Sequence, residues 1–313
     1  MTPLKIYFGD LTHDSIILVS DTIPINIGFI AGYAKKLFDS DIDVSLFKYP
    51  QRILDAIRSD PPDVLALSNY SWNSNLSEFV ANRAKIANPD VITVQGGTNF
   101  PHQPSQQAVY LAARAATDFH TVFEGEVAFA NILRRILETR DKGIGLYDAP
   151  IEGTVFIHPS TRGSDEPSLV TSGQPSRIRD LDDIPSPYLS GMMEEFFTDG
   201  RLTPFLETNR GCPFKCTFCH TGADYFQKIN MFSTDRIRDE INYIARRASD
   251  KGIVNLHLAD TNFGMFPRDR EICEVLLNTQ RKYGWPMQIN ATTGKNNKHR
   301  VIDITGILGD TFD

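Results

Sequence analysis

Residues 206–220 read LETNRGCPFKCTFCH, and Cys212, Cys216 and Cys219 within them are three of the chain's four cysteines. Such crowding could serve a disulfide, a zinc ion, a haem or an iron–sulfur cluster, and the surrounding sequence decides what the loop is built on. LTPFLET, just before it, has the apolar character of a strand. STDRIRDEINYIARRAS, after it, has helical periodicity with Ser233 or Thr234 as its N-cap. Strand IVNLHLAD, helix PRDREICEVLLNTQRKYG, strand PMQINATTG and the start of a helix at HRVIDITGIL follow. This is a series of three βα units, and the cysteines lie after its first strand, on the face where β/α enzymes assemble their sites.

The same alternation precedes the loop. LKIYFGD, IDVSLFKY, PDVLALSNY, VITVQGG and FHTVFEG read as five strands, separated by helical patterns such as INIGFIAGYAKKLFDS and NLSEFVANRAKIANP. Near-continuous apolar strands with helical crossovers predict an α/β, doubly wound parallel sheet covered on both faces, with ligands at the carboxyl ends of the strands. The loops GDLTHD, SNYSWNSN, GGTNFP and EGE are therefore the candidate site of this domain. Pro, Gly, Ser and charge dominate from 148 to 200, where GTVFIH reads as a short hairpin strand. The expected division is a domain at 1–147, a linker at 148–200 and a second β/α domain at 201–313.

A chain of 313 residues, 41% hydrophobic, has the material for two cores. Its start carries no basic region followed by an apolar run, and no stretch of about 18 apolar residues occurs later, so a cytoplasmic protein without a membrane partner is expected. A net charge of −7 without a Lys/Arg run argues against nucleic acid. Cytoplasmic cysteines favour metal or redox chemistry over a disulfide. Zinc normally takes four ligands and finds three, with His220 badly placed beside Cys219. CTFCH satisfies the c-type haem attachment pattern, but that attachment belongs to exported proteins. Three thiolates suit a cubane cluster, holding three irons and leaving the fourth open. Cys273, in DREICEVLL, falls on an apolar helical face and reads as a core thiol.

CxxxCxxC with an aromatic residue before the last cysteine, on the loop after a first barrel strand, resembles the radical S-adenosylmethionine (SAM) superfamily. The wider LETNRGCPFKCTFCH resembles members that carry an N-terminal cobalamin-binding domain, as do VITVQGGTNFP, FHTVFEGEVAFANIL and LDDIPSPYL. The resemblance implies that Cys212, Cys216 and Cys219 ligate a [4Fe–4S] cluster and that Phe218 lies beside the adenine of SAM. It implies that LADTNFG helps hold the SAM amino group, through Asp260 first and Asn262 second, with Thr292 and Thr293 facing the same mouth. The chemistry implied is reductive SAM cleavage to a 5′-deoxyadenosyl radical, with methyl transfer the commonest outcome among cobalamin members. A small-molecule substrate and a reductant such as flavodoxin or ferredoxin would be the partners.

Many cobalamin domains supply an axial histidine through DxHxxG, which is absent here; His120 in DFHTVF reads as a strand residue. The resemblance is to members that bind cobalamin without histidine. Ser68, Asn69 and Tyr70 would then face the corrin, with Glu124 and Gly125 in the EGE turn, while Gly96 and Gly97 would let the backbone approach it. Three βα units are fewer than the six or eight of a closed barrel, and VIDITGILGDTFD reads as an ongoing helix, so an incomplete barrel from a longer enzyme is expected. Two function classes stay open: a radical enzyme using SAM and cobalamin, and a truncated fragment or binding module that holds cofactor without turnover.

Overall fold

The computed structural model describes residues 2–15, 18, 20–294 and 297–309. The chain forms two compact units, one of residues 1–20 and 29–177, the other of residues 21–28 and 178–313.

The first unit is a seven-stranded sheet. Strands β1 (Leu4–Gly9), β2 (Ile42–Phe47), β3 (Val64–Ser68), β4 (Ile92–Gly96) and β5 (Phe119–Thr121) are parallel, in the order β2-β1-β3-β4-β5. Every residue of VLALS in β3 is buried, as a central strand with both faces covered must be, whereas edge strand β2 exposes Asp43 and Ser45. Helices α1 (Ile25–Phe38), α2 (Pro50–Ser59), α3 (Ser74–Ala87), α4 (Pro104–Ala112) and α5 (Gly125–Lys142) connect the strands. Ile53 and Ile57 of α2 and Val80, Ala81 and Ala84 of α3 pack with Tyr7, Leu65 and Leu67 of the sheet, a spacing of three and four residues that puts one stripe of each helix inward. The order reverses between β1 and β3, which makes the loops after those strands the topological switch point.

The structure corrects the reading of 148–200 as linker. β6 (Thr154–Ile157) and β7 (Leu169–Thr171) extend the sheet antiparallel beyond β5, and residues 148–177 belong to the first unit. All four residues of TVFI are buried, a burial that a detached linker could not provide.

In the second unit β8 (Phe205–Leu206), β11 (Asn255–Phe263) and β12 (Gln288–Thr293) form a parallel sheet in the order β12-β11-β8. β9 (Asn209–Arg210) pairs antiparallel with β10 (Asn230–Met231) and closes the base of the cysteine loop. Helices α6 (Thr234–Asp250), α7 (Asp269–Tyr283) and α8 (Lys298–Leu308) follow β10, β11 and β12. Ser233 caps α6, its side chain accepting from the Arg236 amide. The strand expected over LTPFLET is only two residues long, because β11 pairs with it at Phe205 and Leu206 alone. The end of the helix expected over VIDITGILGDTFD, residues 310–313, lies outside the described residues. Among the described residues no helix is long and apolar enough to cross a membrane.

Candidate functional site

At the switch point, charged and polar side chains are buried in one connected network. Lys48, just past β2, donates from Nζ to Asp10 Oδ2 (2.8 Å), just past β1, and its side chain is fully buried. Ser68 Oγ donates to Asp10 Oδ1 (2.6 Å). Asn73 Nδ2 donates to Ser68 Oγ (2.8 Å) and to the Leu11 carbonyl (3.3 Å), while its Oδ1 accepts from the Tyr70 amide (2.8 Å). Two loops that would otherwise be independent are thereby fixed to each other. On this framework Tyr70 and Trp72 stack at 4.7 Å with an interplanar angle of 8°, and Trp72 keeps 44% of its surface exposed. The pair thereby presents an aromatic surface at the carboxyl ends of the strands, where ligands of such sheets bind.

The structure assigns other roles to several residues expected to face a corrin. Asn69 is fully buried; its Nδ2 lies 2.9 Å from Tyr110 Oη, 3.1 Å from the Asn99 carbonyl and 3.1 Å from His120 Nε2. A Cβ on Gly97, at φ +138°, would come within 2.5 Å of the Asn69 carbonyl, and one on Gly96 within 2.3 Å of Thr121 Oγ1. The close approach these glycines permit is thus between neighbouring strand ends of the protein itself. Glu124 precedes α5 and accepts from Arg177 Nε (2.8 Å), and Gly125 is the first residue of that helix. His120 stacks on Phe100 (3.8 Å, 10°), and burial pushes its pKa down to about 3, so it is a neutral core imidazole. Sequence reasoning named neither the Asp10–Lys48 pair nor Trp72, nor Phe123, which adopts a left-handed φ of +61° two residues past β5. A charge ending each of two adjacent apolar strands, FGD and LFK, was the available signal for the pair.

The cysteine loop is laid along β11, residue against residue. Asp260, 2% exposed, accepts from the Thr208 amide (2.8 Å), the Asn209 amide (3.3 Å), Asn209 Nδ2 (2.9 Å) and Thr208 Oγ1. Thr261 Oγ1 donates to the Gly211 carbonyl (3.1 Å), and Asn262 Nδ2 donates to Cys212 Sγ (3.2 Å). Asp260 therefore holds the entry to the loop, at the position where the resemblance implied a contact to the SAM amino group. Burial pushes its pKa up to about 7 against the pull of those donors. Gly211 sits at φ +114°, where a Cβ would strike the Phe226 and Lys228 carbonyls at 2.6 Å, and the Cys212 amide donates to the same Phe226 carbonyl (2.8 Å).

Beyond Cys212 the loop runs through tight turns, with Cys219 N donating to the Cys216 carbonyl (3.1 Å) and Gly222 N to the Cys219 carbonyl (3.0 Å). None of the four cysteines is in a disulfide; Cys212 is buried, Cys216 and Cys219 half-buried. Phe218 projects with 88% of its surface exposed. Thr292 is exposed near the end of β12, and Thr293 pairs with Phe263. Cys273 is fully buried in α7, and burial pushes its thiol up to about 12.

Among the described residues no three His, Cys, Asp or Glu side chains converge on a point that one metal ion would occupy. A cubane does not ask for that convergence, since each thiolate takes its own iron. Three cysteines on one loop, none of them in a disulfide, with a buried amide already directed at one sulfur, fit a cluster better than a single ion.

Residues 17–133 match the B12-binding domain model. Across 96% of its length the chain is 33% identical to the cobalamin-dependent radical SAM methyltransferase TokK of Streptomyces tokunonensis, covering 42% of that protein. It is 30% identical, over 90% of its length and 40% of the relative's, to 2-(S-pantetheinyl)-carbapenam-3-carboxylate methyltransferase of Streptantibioticus cattleyicolor. The chain thus spans about two fifths of the length of these curated relatives. Among solved structures, OxsB, a cobalamin-dependent S-adenosylmethionine radical enzyme with aqua-cobalamin and S-adenosylmethionine bound, superposes with a TM-score of 0.65 at 15% identity, over 99% of this chain and 43% of that one. TsrM from Kitasatospora setae, a radical S-adenosylmethionine methyltransferase with cobalamin and a [4Fe–4S] cluster bound, gives 0.65 at 12% identity, over 99% and 59%. At such identities the two superpositions speak for the fold.

Proposed function

Because this chain belongs to the radical SAM proteins with an N-terminal B12-binding domain, we propose that it binds a [4Fe–4S] cluster, SAM and cobalamin and serves methyl transfer to an unactivated carbon of a small molecule. The observation that carries this reading is the presence, on one chain, of a CxxxCxxC loop after the first strand of a parallel βα series and a switch-point edge with an exposed aromatic face. When bound, the cluster supplies the electron for SAM cleavage and cobalamin carries the methyl group.

In this reading Cys212, Cys216 and Cys219 hold the cluster, and Phe218, exposed between the last two ligands, offers its ring to the adenine of SAM. Asp260 keeps the loop entry in place rather than touching SAM; Asn262 lies on β11, which borders the loop, and Thr292 on β12, the next strand of that sheet. Tyr70 and Trp72 give a corrin a flat apolar surface, while Ser68 and Asn69 hold their loop from beneath. With His120 buried and neutral, no histidine is assigned to cobalt. Cysteines outside any disulfide and a reduced cluster suit the cytoplasm, with flavodoxin or ferredoxin as the reductant.

Anaerobic reconstitution should yield about four irons per chain, and isothermal titration should show cobalamin binding by the same protein. Methyl-labelled SAM with a strong reductant then tests turnover. A chain that takes neither iron nor cobalamin overturns the reading.

A further inference from the structure

We infer that Asn262 sets the electron affinity of the cluster by donating its side-chain amide to Cys212 Sγ; this rests on the cluster reading above. The amide is 3% exposed and its Nδ2 stands 3.2 Å from the sulfur. Both ends of the contact are pinned. Asn262 sits in β11, and Thr261 beside it bonds the carbonyl of Gly211, the residue before Cys212. Nδ2 also lies 3.2 Å from Thr261 Oγ1, whereas Oδ1 is buried with no hydrogen-bond partner among the described residues.

Burying an amide with one end unmet is costly, and a neutral thiol is too weak an acceptor to offset it. A thiolate is a strong acceptor, so the donor end gains its full value only when Cys212 is deprotonated, as a cluster ligand is. Hydrogen bonds to cluster sulfurs favour the more negatively charged, reduced state and raise the reduction potential. Cys219 meets Thr221 Oγ1 (3.2 Å) on the half-exposed part of the loop, where water competes. Cys212 meets Asn262 in the buried part, where a hydrogen bond is electrostatically stronger.

Two measurements on the full reconstituted chain test this. Asn262→Leu keeps the side chain's shape and removes the donor; reductive titration followed by electron paramagnetic resonance should show about tenfold weaker electron affinity, about 59 mV more negative for one electron. Wild-type protein labelled with side-chain 15N-asparagine, reduced without SAM, should show a weak 15N coupling to the cluster in pulsed spectra. Full iron loading with an unchanged potential in N262L, or no 15N coupling in the wild type, overturns the inference. If N262L takes up no iron, the wild-type coupling decides alone. A wild-type chain that assembles no cluster overturns the cluster reading itself, and this inference with it.

Discussion

The switch-point edge and the cysteine loop are both sites at the carboxyl ends of parallel strands, yet they are built in opposite ways. At the switch point the polar atoms bond one another: Lys48 to Asp10, Ser68 to Asp10, Asn73 to Ser68 and Leu11. In the loop, order comes from outside, from the Asp260, Thr261 and Asn262 side chains of β11, whose contacts run from Thr208 to Cys212. Past that point the backbone has its own turns, two half-exposed thiols and an exposed phenyl ring. A site that grips a large, rigid ligand by shape benefits from being stiff beforehand. One whose ligands bond covalently to metal can leave its last degrees of freedom to the metal.

The largest expected effect breaks the comparison on the loop side. Alanine at Cys212, Cys216 or Cys219 should abolish iron binding while the far-ultraviolet circular dichroism stays that of the wild type, since two of the three are half-exposed and the loop has little else to lose. Cys273→Ala should keep its iron and lose about 1 kcal/mol of stability in chemical denaturation, through a small cavity beside α7. Iron retained in the first three variants would erase the contrast between a loop completed by metal and an edge completed by its own hydrogen bonds.

Next comes the switch point. Lys48→Met strands a buried carboxylate and should cost about 3–5 kcal/mol, while the double change to Lys48→Met with Asp10→Asn should recover most of that loss. Cobalamin affinity should fall in the single variant and return in the double one if the network acts by fixing the two loops. A double variant as unstable as the single would mean that the ion pair itself is indispensable.

Asp260 gives a pH test. Its folded pKa, about 7, lies above the ordinary aspartate value of 3.8, so the folded state binds the proton more tightly than the unfolded one. The associated stability is fully present below about pH 4 and is lost as pH rises toward 7. Asp260→Asn should flatten the dependence over that window, with a few kcal/mol at stake; an unchanged profile would mean that the four donors, not burial, govern the carboxyl.

The smallest effect is at Phe218. Its exposure predicts that Phe218→Ala changes stability by less than about 0.5 kcal/mol and leaves iron content unaltered, while SAM affinity falls. A marked loss of stability would show that the ring packs on the protein.

The sequence alone determined the alternation of strands and helices, the parallel sheet and the place of the cysteines after a strand, because these follow from local periodicity and from where apolar runs stop. It did not determine which polar residues the fold consumes. Asp260 and Asn262 stand two apart on one strand and look equivalent in LADTNFG, but one carboxylate is spent on the Thr208–Asn209 backbone and the other residue's amide reaches a sulfur. Gly96 and Gly97 read as room for a ligand, whereas their missing side chains make room for Asn69 and Thr121. The hairpin after residue 148 read as linker because two short antiparallel strands carry almost no periodic signal; only pairing with β5 gives them a place. In each case the deciding partner lies on another strand or just past its end, tens of residues away, and long-range pairing is what tertiary structure alone fixes.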